Sequence, residues 1–157
     1  MMQYGKDPGP PRAGLQLRRI LPFNALFKSG VLAVANDVGN AWEAQCFGRI
    51  LETEMSLGAL GGTSGATTID VKKNGTSIYT AAPSIAFNAA SRRRRDCAGP
   101  LIPSTSTGSS GVLTPVFGEP GGVRFAPGDY FRLDVTAIPG AASSDLAVDF
   151  LLLIEDV

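Results

Sequence analysis

The sequence predicts an all-β chain, an antiparallel β-sandwich or jelly roll of about eight short strands. Two alternating runs, Gly65 to Lys73 and Thr76 to Tyr79, meet at Asn74-Gly75. That dipeptide suits a two-residue type I′ turn, in which both central residues need positive φ. Turn chemistry then recurs along the chain, which holds 19 glycines and 11 prolines, more than a helical protein uses. Finally, Leu146, Val148, Phe150, Leu152 and Ile154 follow a period of two, the signature of a strand face.

From the N-terminus, residues 1–22 read as an extended arm. Lys6-Asp-Pro-Gly-Pro-Pro-Arg12 cannot build a helix interior or a central strand, because prolines remove donors and fix φ. Leu15, Leu17 and Ile20 give the later part apolar anchors, with Arg18 and Arg19 among them. Residues 23–157 form the body. Its first strand is expected near Val31-Leu-Ala-Val-Ala35, closed by turn residues Asn36 to Gly39. The segment Ala41 to Met55 has the propensity of a helix, but its β-rich surroundings favour strand from Phe47 onward. There Ile50, Glu52, Glu54 and Ser56 are expected on one side, and Leu51, Thr53, Met55 and Leu57 on the other.

The hairpin register pairs Lys73 with Thr76, Val71 with Ile78 and Ile69 with Thr80. Pro83 to Phe87 is a short strand, and Asn88 to Ser110 a long loop carrying Arg92, Arg93, Arg94 and Arg95. Gly111 to Phe117 and Val123 to Phe125 are further strands, and Ala126 to Asp129 is a turn. In Tyr130 to Thr136, Phe131, Leu133 and Val135 face inward, while Arg132 and Asp134 face out. The last strand is apolar on both faces through Leu151 and Leu153, so it is expected to be central or covered.

Composition excludes several functions. The chain has 157 residues, enough for one domain with a real core and no need of a disulfide or metal staple. Its 14 basic and 14 acidic residues balance, which argues against wholesale electrostatic binding to nucleic acid. With 0 histidines, Ser-His-Asp and Cys-His chemistry is excluded. Cys46 and Cys97 form no CxxC unit and read as small buried hydrophobes, with a disulfide left open. Met1 to Gly14 lacks the apolar core of a signal peptide, and no stretch reaches transmembrane length. The carboxylates Asp129, Asp134, Asp145 and Asp149 read as turn and exposed strand residues, and the Gly58 to Gly65 loop lacks a P-loop ending. No catalytic residue, cofactor or metal is therefore expected. The arginine run reads as a solvated loop tip or a docking point for an acidic partner.

Thr67-Thr-Ile-Asp-Val-Lys-Lys-Asn-Gly-Thr-Ser-Ile78, followed later by Phe125-Ala-Pro-Gly-Asp-Tyr-Phe-Arg-Leu-Asp-Val135, resembles small structural proteins of tailed-phage virions. These are capsid cement or decoration proteins and the bases of fibres or spikes. The similarity covers roughly Gly61 to Val157 and leaves the region up to Phe27 outside. The Phe-x-x-Gly-Asp turn also resembles, more weakly, the trimeric jelly rolls of tumour necrosis factor and complement C1q. The resemblance implies a jelly-roll body, often a homotrimer, made in the host cytoplasm and attached to the major capsid protein or another virion protein. On that expectation Leu15, Leu17, Arg18, Arg19, Ile20, Phe23 and Arg92 to Arg95 contact the partner. The alternative expectation is a fibre, spike-base or baseplate component that attaches to or recognises host glycans.

Overall fold

The computed structural model describes residues 19–97 and 122–155. Among them are ten strands: β1 (Arg19–Val31), β2 (Trp42–Glu43), β3 (Phe47–Ala59), β4 (Ala66–Lys73), β5 (Thr76–Ser77), β6 (Ser84–Ala86), β7 (Arg93–Cys97), β8 (Val123–Phe125), β9 (Tyr130–Ala137) and β10 (Ser144–Glu155). They form two antiparallel sheets. The first runs β1-β10-β3-β7, with β8 also on β3; the second runs β2-β9-β4-β5, with β6 also on β4. The sheets pack face to face as a β-sandwich.

The core lies between them. Leu26, Ile50, Met55, Val148 and Phe150 project from the first sheet, and Ile69, Val71, Phe131, Leu133 and Val135 from the second. Trp42 sits at one end of this core. Its ring lies 4.9 Å from Phe131, 5.2 Å from Phe23, 5.4 Å from Phe125 and 5.8 Å from Phe150. Burying a side chain such as Phe131 stabilises the fold by about 2–3 kcal/mol, before any gain from ring geometry.

The hairpin turn forms as its sequence requires. Asn74 has φ 49° and Gly75 φ 87°, and Lys73 pairs with Thr76. The Ile78 N–H still reaches the Val71 carbonyl at 2.9 Å. The ladder then stops, and on that edge the Ile69 N–H meets the Pro83 carbonyl at 3.1 Å, ahead of β6, rather than pairing with Thr80.

Three other expectations are corrected. The first body strand lies earlier, over Arg19–Val31, so residues 19–22 pair with β10. A bulge between Asn24 and Leu26 breaks the alternation, and the edge position accommodates Pro22. The segment expected to be strand instead crosses over to the second sheet, where Ala35 bridges Val135. In β3, a register shift leaves Leu51 without a partner residue on β10. Ile50 therefore joins Thr53, Met55 and Leu57 in the interior, away from Glu52 and Glu54. Arg93–Cys97, expected within a loop, is a strand on β3. The strand expected over 111–117, the rest of that loop and the arm over 1–18 lie outside the described residues. β10 is central, between β1 and β3, as its two apolar faces require.

Candidate functional site

Of the residues expected to meet a partner, Leu15, Leu17 and Arg18 lie outside the described residues. Arg19 opens β1 opposite Ile154. Ile20 is 61% exposed. Phe23, expected as an anchor of the arm, instead turns inward and packs on Trp42, so its role is in the core.

The period-two alternation of β1 puts Leu26 in the core and Phe27 outside. The exposed apolar residues of β1 and its continuation are Ile20, Leu21, Phe27, Val31 and Val34. Phe27, Val31 and Val34 were not singled out from sequence. For Phe27 and Val31 the signal was there, since each is a large apolar residue beside a buried one, Leu26 and Leu32. It was hidden by the unrecognised bulge.

The arginine run is a strand rather than a loop tip, and most of its charge is already met. Opposite β7 stand Glu52 and Glu54 of β3. Arg95 Nε lies 2.6 Å from Glu54 and 3.6 Å from Glu52, and Arg93 reaches Glu54 at 3.5 Å. These cross-strand pairs explain how a run of arginines holds an extended conformation. The Glu54 carboxylate bonded to it, and then the charges of Glu54 and Glu52, push the Arg95 pKa up. Arg94 projects to the other side. It holds Asp96 at 2.9 and 3.0 Å and donates to the Ser84 carbonyl of the second sheet at 3.0 Å. Arg92 donates to the Gly58 carbonyl.

Beside this network sits Asp149, directly opposite Glu54 on β10 and expected from sequence to be exposed. It is half-buried, and its Oδ1 is buried with no hydrogen-bond partner among the described residues. Burial, and then the Glu54 charge, raise its pKa above the usual carboxylate value, against the pull of Arg93. Burial also raises that of Glu52, opposed by Arg95 and aided by Glu54 and Asp96.

The other carboxylates hold structure. Asp134, expected to face out, is buried at 1% exposure because β9 is covered there. It accepts the Asp37 N–H at 2.8 Å and pairs with Lys72 at 2.5 Å. Asp129 closes its turn by accepting the Ala126 N–H at 2.9 Å and is paired with Lys73 at 3.0 Å. Asp145 accepts the Gly30 N–H at 2.8 Å. Cys46 is a half-buried free thiol.

The chain matches no protein-family model, no curated protein and no solved structure. The geometry above offers two surfaces, the apolar edge at β1 and the arginine edge at β7.

Proposed function

We propose that this chain is a non-enzymatic structural protein of a tailed-phage virion, a cement or decoration protein that stabilises the head. The observation that carries this reading is the apolar side chains left in water on the β1 edge: Ile20 at 61% exposure, Phe27 at 53% and Val31 at 72%. Each loses about 25 cal/mol per Å² of apolar surface kept wet, and that free energy is recovered on docking. Large apolar side chains exposed along one strand are a feature of protein-interaction surfaces.

The resemblance at Thr67–Ile78 and Phe125–Val135 supplies the class of partner, a capsid or other virion protein. The jelly-roll topology and the homotrimer belong to the same proposal. In this reading Leu15 and Leu17 are further apolar contacts to the partner. A segment that orders on docking gives up conformational entropy, which those apolar contacts offset.

The test is whether gradient-purified particles of the phage encoding this chain contain it in a fixed ratio to the major capsid protein. Loss of the chain from particles assembled with a Phe27→Asp, Val31→Asp variant is the expected companion result. Particles that never contain the wild-type chain would overturn the reading.

A further inference from the structure

The two sheets end side by side at β6 and β7, and β7 presents unused backbone groups there. The Leu57 N–H donates to the Arg92 carbonyl at 3.0 Å, continuing the β3–β7 register. By the alternation of an antiparallel ladder, Arg94 and Asp96 bond toward β3, while Arg93 and Arg95 turn their backbone groups away from it. The Arg93 N–H is taken by the Ser91 hydroxyl at 3.1 Å. The Arg93 carbonyl and both backbone groups of Arg95 have no partner among the described residues. On β6 the Ile69 N–H meets the Pro83 carbonyl at 3.1 Å and the Phe87 N–H meets Gly65 at 3.0 Å. Ser84 and Ala86 accordingly face the other way, where their carbonyls are already taken, by the Arg94 guanidinium at 3.0 Å and the Ala89 N–H at 3.0 Å, so the open backbone groups lie on β7. A groove of about 440 Å³ lies between the strands, lined by Ser84, Ile85, Ala86, Ala89, Arg93 and Arg95 among others.

We propose that the β7 edge binds an extended acidic peptide segment as an added strand. The side-chain alternation of such a strand matches the two sides of β7. Residues beside Arg93 and Arg95 share their face, where the arginine side chains are 73% and 64% exposed and each guanidinium has more N–H donors than Glu52 and Glu54 occupy. Carboxylates there make charge-assisted hydrogen bonds. The intervening residues point into the groove beside Ile85, Ala86 and Ala89, which suits small aliphatic side chains. The recognised pattern is acidic and aliphatic residues in strict alternation. This inference stands on the β6–β7 edge and does not depend on the virion reading. A charged edge strand also discourages self-association; the experiment separates a merely protective edge from a binding one.

The probe is a fluorescein-labelled peptide of about eight alternating Glu and Val residues, titrated with the full chain and read by fluorescence anisotropy. Saturable binding at least about tenfold tighter than that of the matching Lys–Val peptide is expected. Arg93→Glu weakens it by about tenfold or more, and added salt weakens it further. Methylating every second peptide amide removes binding in the frame that faces β7, a result that requires no change to the protein. A Glu–Val peptide that binds no better than the Lys–Val peptide overturns the proposal. So does binding that survives methylation in both frames.

Discussion

Asn40 closes the middle of the β1 edge through Phe27. The Phe27 N–H donates to Asn40 Oδ1 at 2.6 Å, and the Asn40 N–H donates back to the Phe27 carbonyl at 3.3 Å. The same side chain donates from Nδ2 to the Ala25 carbonyl at 2.9 Å. One residue thus does the work of a short neighbouring strand. Gly39 permits the approach: its φ is +72°, and a Cβ there would stand 1.9 Å from the Phe27 carbonyl oxygen.

Asn40→Ala is therefore expected to destabilise the chain by about 1–2 kcal/mol, because two edge groups lose their side-chain partner. For a domain of this size that lowers Tm by about 3–6 °C. Thermal unfolding by circular dichroism checks the stability, and light scattering checks a second outcome, greater self-association through the uncovered edge.

Asp149 sets the acid side of the pH profile. The raised pKa values of Asp149 and Glu52 mean that their charged forms disfavour the native state at neutral pH. That penalty fades as pH falls through their folded values, which lie above the ordinary 3.8 and 4.5. Asp129 and Asp145 act in the opposite sense. Burial works against ionised Asp129, but hydrogen bonds from Ala126, Asn74 and Lys73 outweigh it and hold its pKa down. The Gly30 N–H and then the Ser144 hydroxyl do the same for Asp145. Their stabilisation is complete above the ordinary 3.8 and is lost as pH falls through the depressed values. Stability should therefore peak in mild acid. Asp149→Asn should raise Tm at pH 7 and flatten the rise toward acid. A lower Tm for this variant at neutral pH would contradict the assignment.

Lys72 and Asp134 set the alkaline side. The hydrogen bond to Asp134, and then its charge, raise the Lys72 pKa above the ordinary 10.5. A raised lysine contributes stability that is complete below its unfolded pKa and is lost as pH rises through the folded one. Lys72→Gln should lower Tm at pH 7 and reduce the Lys72 share of the alkaline fall in stability. Equal alkaline slopes for variant and wild type would remove Lys72 from the account.

The fold class was legible because its determinants are local. Asn74-Gly75 dictates its own turn, and the alternation from Leu146 to Ile154 needs only period two. What sequence hid is long-range. The bulge at Leu51 exists only against β10, and the strand character of Arg93 to Arg95 only against Glu52 and Glu54. Asp134 looked exposed because its cover, Asp37 and Lys72, comes from elsewhere in the chain. The candidate edges were least legible of all, since an edge is defined by which strand lacks a neighbour.

The β1 patch makes a prediction separable from stability. Phe27 and Val31 are 53% and 72% exposed, so Val31→Ser should change stability by no more than about 0.5 kcal/mol, and Phe27→Ser, which uncovers a nearly half-covered ring, should cost about 1–2 kcal/mol while leaving the chain folded. If the proposed trimer uses this edge, light scattering should give three times the chain mass for wild type and less for the double variant. A wild-type monomer would remove the trimer from the proposal and leave docking on a particle as the remaining use of the patch.

Thr53 and Tyr79 supply the final prediction. Their hydroxyls meet at 2.8 Å, and through them β3 touches the segment between β5 and β6, linking the two sheets. Thr53 is 2% exposed. Burial raises the Tyr79 pKa, against the pull of Thr53, so ionisation of Tyr79 in the unfolded chain also erodes stability at alkaline pH. The single variants should be unequal. In Tyr79→Phe the Thr53 hydroxyl keeps a long contact to the Asp96 carbonyl at 3.5 Å, so the cost is about 1 kcal/mol. In Thr53→Val the phenol stays buried without its partner, and the cost rises to about 1–3 kcal/mol. The double variant removes both polar groups while nearly preserving shape, so it should be more stable than Thr53→Val alone. Urea unfolding of all four proteins tests this. Strict additivity would mean that the hydroxyls do not act on each other, and that the sheets are joined here by packing alone.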